Sequence, residues 1–139
     1  MGCIREIEVP KIIIVSGVSN TGKSTSIKAA MNNRGAHVGG PVGDVLICAH
    51  LHISGTGHTI GFASGGDTAH VVNNNIAFLQ PLSPDFMVFA CRSYGAGLNA
   101  LNAFAARLGV TPIMIQTKHS PNPASAIALT VGTILSHLP

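Results

Sequence analysis

The sequence predicts a three-layer α/β fold, doubly wound around a mostly parallel sheet of five strands, and three observations point to it. Short apolar runs alternate along the chain with longer segments whose apolar residues recur at helical spacing. The first run, "KIIIVS" at residues 11–16, is a continuous aliphatic stretch of the kind buried on both faces of a parallel sheet. No long linker, internal repeat or low-complexity block interrupts the alternation, so the 139 residues read as one domain, 1–139.

Taken in order, the first strand is central and runs into a glycine turn. Ile27, Ala30 and Met31 then share one helical face, and Gly35 follows where a left-handed C-cap is needed, which gives a helix over residues 23–34. A glycine-rich stretch, "GAHVGGPVGD", leads to "VLICAH", "ISGTG" and "TIGFAS". These read either as two strands of a hairpin or as two separate strands, and the choice places Asp44 at opposite ends of the sheet. Asp67 starts the next helix, with Val72, Ile76 and Leu79 as its apolar stripe and Pro81 as its stop. "FMVFAC" is another buried strand. Leu98, Leu101, Ala105 and Leu108 mark a third helix closed by Gly109, and "TPIMIQT" is the fifth strand. Asn122 caps a last helix started by Pro123, with Ile127, Val131, Ile134, Leu135 and Leu138 on one side. That helix is expected to be buried, being too short and too interrupted by Ser, Thr and His to span a bilayer.

Composition narrows the function classes. Only 9% of residues are charged, and the net charge of +3 reflects scarce acids with no basic cluster, which argues against nucleic acid as a partner. So few charges leave an apolar or small-residue surface, which suggests a protein partner or a homo-oligomer. The N-terminal "MGCIREIEVP" lacks the order of a secretory signal, and Glu6 departs from the myristoylation pattern. Cys3, Cys48 and Cys91 are odd in number and widely spaced, so a cytoplasmic protein without a membrane anchor is expected.

The chemistry is carried by Gly17, Val18, Ser19, Asn20, Thr21, Gly22, Lys23 and Ser24, which fit G-x-x-x-x-G-K-[ST] between a buried strand and an amphipathic helix. Gly17 and Gly22 let the loop turn its N–H groups inward around phosphate oxygens, and the helix N-terminus adds partial positive charge. Lys23 would reach the β- and γ-phosphates, Ser24 would ligand magnesium, and Thr25 adds a hydroxyl near the α-phosphate.

Through this motif and its flanking strand and helix, residues 11–34, the chain resembles the P-loop NTPase superfamily. The resemblance implies a P-loop NTPase-like sheet, a bound nucleoside triphosphate with Mg, and an acid from the end of another strand. Few acids are available. Asp67, beyond the end of "TIGFAS", is the first choice for the metal or the attacking group, with helix capping as its structural alternative. Ser64 stands where a family member would often carry the acid. Asp44 is a less favoured metal residue that reaches the phosphate end only if a hairpin forms, much as in small GTPases, whose element order this resembles. Asp85 precedes "FMVFAC" and reads as a strand-entry residue at the far end.

The base is expected near the loops after "FMVFAC" and "TPIMIQT". Thr117-Lys118-His119-Ser120 is similar to the GTPase N-K-x-D element but lacks its Asp, so ATP is favoured, with GTP not excluded. Lys118 is the base-contact candidate, and Arg92 the candidate for a phosphate or an acceptor. Tyr94 either stacks on a base or covers the sheet edge. His50 and His52 share a strand face, and a hairpin could bring His58 across from them, but no zinc-site spacing accompanies them. The expected function is nucleotide binding with phosphoryl transfer, in which Lys23 and Asp67 are catalytic. Hydrolysis is favoured over a small-molecule kinase, because only about ten residues separate the first helix from the next strand. A non-catalytic module gated by nucleotide through the loop 35–44 is the alternative.

Overall fold

The structure, a computed structural model, describes residues 9–18, 21–36 and 43–139. Expectations for the N-terminal segment, for Ser19 and Asn20, and for most of the loop 35–44 lie outside those residues.

Five strands and four helices form in the expected order: β1 (Lys11–Ser16), α1 (Lys23–Asn33), β2 (Leu46–Ile53), β3 (Thr56–Ala63), α2 (Ala69–Leu79), β4 (Phe86–Cys91), α3 (Ala96–Leu108), β5 (Ile113–Gln116) and α4 (Pro123–Ser136). They build one mixed sheet in the order β2-β3-β4-β1-β5. All neighbours are parallel except β2 and β3. β1 is flanked on both sides, which is why its run of aliphatics needs no polar face.

Alternation along the strands sends side chains to two cores. Ile13, Val15, Phe62 and Val88 meet Ile27 and Met31 of α1 and Ile134 of α4. Ile12, Ile14, Met87 and Phe89 meet Val72 and Leu79 of α2 and Leu101 and Phe104 of α3. The helices therefore cover both faces, the doubly wound arrangement.

The ambiguous middle of the chain is a hairpin. Ser54 and Gly55 both take positive φ, 52° and 80°, the two-residue turn whose twist matches an antiparallel pair. In this pairing Leu46 lies opposite Ala63, so the start of β2 sits at the same end of the sheet as the finish of β3. Asp44 is thereby delivered to the end where the Gly17 loop lies. β4 separates β3 from β1.

Three expectations are corrected. Asp67 does not begin α2: Thr68 is its N-cap, accepting from the Val71 N–H at 3.2 Å, because a hydroxyl one residue later meets the free N–H groups of the first turn. His58 does not face His50 and His52. It pairs with Leu51, so the two-residue period of the strand puts it on the other side of the sheet, where its ring meets the edge of Phe86. α4 is not a buried helix: Ile134 is its one buried residue and Leu129 is 74% exposed, because only one side of it meets the sheet and α1. Other large exposed apolar side chains, Phe78, Leu82 and Met114, sit on separate elements. Among the described residues no helix is long and apolar enough to cross a membrane.

Candidate functional site

At the C-terminal end of β1 the chain is held by backbone bonds to both neighbours. Gly17 N–H donates to Cys91 O at 3.2 Å, and Thr117 N–H donates to Ser16 O at 2.7 Å. A Cβ on Gly17 would fall 2.1 Å from the Thr117 hydroxyl oxygen, so only glycine allows this approach. The hydroxyls of Thr21 and Thr117 lie 2.5 Å apart, and Thr21 also reaches Val18 O at 2.8 Å. The loop closes into α1 through Gly22 at φ 84°. The first bond into the helix runs from Ser26 N–H to Gly22 O, which leaves the N–H groups of Lys23, Ser24 and Thr25 at its open end. Gly22 has no side chain to cap them.

Lys23 is 6% exposed and folds back over the loop. Its ammonium donates to Gly17 O at 2.7 Å and to Val18 O at 2.9 Å, and pairs with Asp67 Oδ1 at 3.5 Å. Asp67 itself is 60% exposed. Its backbone carbonyl accepts from Arg92 Nε at 3.1 Å, so Arg92 belongs to the site by holding the β3–α2 loop.

The two candidate acids take different partners: Asp44 lies beside Ser24 and Asp67 beside Lys23. Ser24 Oγ donates to Asp44 Oδ1 at 3.0 Å. Ser64, at the end of β3 and 2% exposed, accepts from Val45 N–H at 2.7 Å and lies 3.5 Å from the same carboxylate oxygen. Where a strand-end acid was expected, the chain has a hydroxyl that seats the acid of the neighbouring strand. Gly65 leaves room for it, since a Cβ there would fall 2.9 Å from Asp44 Oδ2.

These residues line a cavity of about 180 Å³ formed by Gly22, Lys23, Ser24, Thr25, Asp44 and the Ser64 to Asp67 turn. A second cavity of about 290 Å³ shares Gly22 and Thr25 with it and continues past Thr21, Lys118, His119 and Ser120 to Ile127 of α4. Lys118 and His119 thus lie beside the loop as the sequence suggested. Neither cavity includes Tyr94, which is 68% exposed. Asp85 lies at the opposite end of the sheet, its carboxylate accepting from Thr59 N–H at 3.2 Å. His50 bonds Thr59 Oγ1 at 3.0 Å, and among the described residues no group of three His, Cys, Asp or Glu side chains is placed to hold a metal.

Two further residues support the site. Asn75, 5% exposed, donates from Nδ2 to Gly65 O at 2.8 Å and fixes the turn carrying Asp67. Its signal in the sequence is a polar residue on the apolar stripe of Val72, Ile76 and Leu79, where an unpaired amide would be costly. Cys91, at the end of β4, is fully buried, which pushes its thiol up to about 11, against the opposing pull of the Lys23 ammonium. It is a neutral packing group beside the lysine.

A buried lysine, a free helix N-terminus and two carboxylates around one small space form an arrangement suited to an oxyanion accompanied by a cation. Comparisons with protein families, with curated proteins and with solved structures return no match for this chain.

Proposed function

We propose that the protein binds a nucleoside triphosphate, ATP in preference to GTP, in the manner of a P-loop NTPase, and transfers its terminal phosphoryl group to water. The observation that carries this reading is the convergence at the start of α1: Lys23, the N–H groups of residues 23–25, and the Ser24 hydroxyl 3.0 Å from the Asp44 carboxylate, all on one cavity. The helix end and Lys23 complement phosphate charge, and the adjoining cavity at Lys118 and His119 has room for the base side of the nucleotide.

Ser24 and Asp44 are hard oxygen donors of the kind magnesium takes, and they are the residues that would hold it. When bound, the ion would neutralise charge developing on the phosphates. Asp44 thus replaces Asp67 as the preferred metal carboxylate, because Ser64 and Gly65 seat it beside Ser24. Lys23 orients the phosphates, and Thr21 with Thr117 keeps the loop closed against β5.

The guanine-reading acid is missing from the Lys118 loop, where Ser120 bonds to Asn122 instead, and this supports adenine over guanine. A binding module without turnover is the second reading. It is favoured by one observation, that Asp67 is engaged by Lys23 and not free to orient an attacking water.

Thermal unfolding with ATP or GTP, each with magnesium, tests the binding, since a ligand of the native state at about 100 times its Kd adds roughly 2.7 kcal/mol. Phosphate release from the same samples separates the two readings. A midpoint unmoved by either nucleotide overturns both.

A further inference from the structure

The Lys23–Asp67 pair has a consequence for which form of the nucleotide the site accepts, and this inference rests on the reading above. An ammonium has three protons to give. Lys23 donates hydrogen bonds to Gly17 O and Val18 O at 2.7 and 2.9 Å and forms an ion pair with Asp67 Oδ1 at 3.5 Å. A phosphate that needs this lysine must take one of the three positions. The carbonyls are short contacts inside the loop itself, so the long contact to the exposed carboxylate is the one that yields.

Asp67 is well held for this competition. Arg92 grips its carbonyl at 3.1 Å, Thr68 caps α2 immediately after it, and Asn75 ties down Gly65 two residues before. These bonds fix the backbone that carries the carboxylate, which keeps it within reach of Lys23 as phosphate approaches. The second carboxylate of the cavity, Asp44, sits on Ser24. An anion entering alone meets an internal anion at both of its contact points, whereas one accompanied by a divalent cation brings the compensating charge.

We propose that Asp67 is a specificity-determining residue: by competing with phosphate for Lys23 it makes the site discriminate against nucleotide that arrives without a divalent cation. The mechanism predicts a gain on its removal. Asp67→Asn keeps the shape and the backbone anchors and removes the charge, and because the residue is exposed the variant folds like the parent.

Calorimetric titration of ATP and of inorganic tripolyphosphate into both proteins, in magnesium and in EDTA, tests it. In EDTA, Asp67→Asn is expected to bind both anions roughly fivefold more tightly than wild type, about the worth of an exposed ion pair. In magnesium the two proteins should differ less, so that the magnesium dependence shrinks in the variant. Binding of ATP by wild type in magnesium, with the variant no tighter in EDTA, overturns the inference alone. Absence of ATP binding by wild type in magnesium overturns the nucleotide reading and this inference with it.

Discussion

The two ends of the sheet make opposite use of space. At the N-terminal end of the parallel strands lies a hollow of about 840 Å³, bordered by Phe86, Phe104 and Leu108 with Lys11, His58 and Asp85. At the C-terminal end lie the two cavities of about 180 and 290 Å³ around the Gly17 loop. By size the first is the better ligand pocket. Its carboxylate, however, is occupied in starting strands. Asp85 takes the Thr59 N–H with its carboxylate, bonds Thr59 O through its own N–H, and accepts from Lys11 N–H. At the other end, helix N–H groups, a lysine, a serine and two carboxylates turn toward one small space. Convergence of polar groups, rather than volume, separates a site from a gap between elements.

The contrast can be broken most severely at the far end. Phe104 is fully buried and contributes to the large hollow, and Phe104→Ala is expected to cost about 3–5 kcal/mol of stability. Chemical denaturation measures the loss, while the nucleotide-induced rise in midpoint should survive wherever the variant is still folded. If that rise disappears with Phe104, the two ends are not independent. Next in size is Lys23→Ala, which should abolish the roughly 2.7 kcal/mol that saturating ATP contributes at about 100 times its Kd. Retention of the full thermal shift would move the binding site away from the Gly17 loop. Asp44→Asn should weaken magnesium-dependent ATP binding by about tenfold, or roughly 1.4 kcal/mol, leaving binding in EDTA no weaker. An unchanged magnesium titration would return the metal role to Asp67.

The smallest effect is confined to alkaline solution. The Cys91 thiol is raised by burial to about 11 from an ordinary 9.0, so the native state keeps a proton that the unfolded chain releases between those values. Its contribution is complete below pH 9 and lost as pH rises through about 11. Native Cys91 should accordingly resist iodoacetamide at pH 8.5 and become labelled in urea, read by peptide mass mapping. Rapid native labelling would mean that the end of β4 opens beside Lys23.

Much of this arrangement was legible in the residues. β1, the Gly17 loop and α1 follow from a continuous aliphatic run, two glycines and a helical stripe, all local signals. The placement of the acids was not local. Asp44 reaches the site only because the chain reverses at Ser54 and Gly55, and "ISGTG" is equally compatible with a turn between separate strands. Asp67 and Thr68 are adjacent and both fit to cap a helix, so sequence alone could not assign the cap to Thr68 and leave the carboxylate to Lys23. Ser64 was visible only as a missing acid. Its use as a seat for Asp44 depends on a cross-strand neighbour that no spacing rule supplies. The faces of β2 and β3 depended on register in the same way, and one residue of register decides whether His58 joins His50 or opposes it.

The reversal at Ser54 and Gly55 also gives the molecule a handle. The hairpin anchors Asp44 and Ser64 at its base and turns at its other end, where residues 54–57 are exposed. Exposed turn tips are where inserted sequence is best tolerated. A fluorophore, an affinity tag or a whole reporter domain spliced between Ser54 and Gly55 would ride eight paired rungs away from the carboxylate, leaving the working end of the sheet intact for measurement.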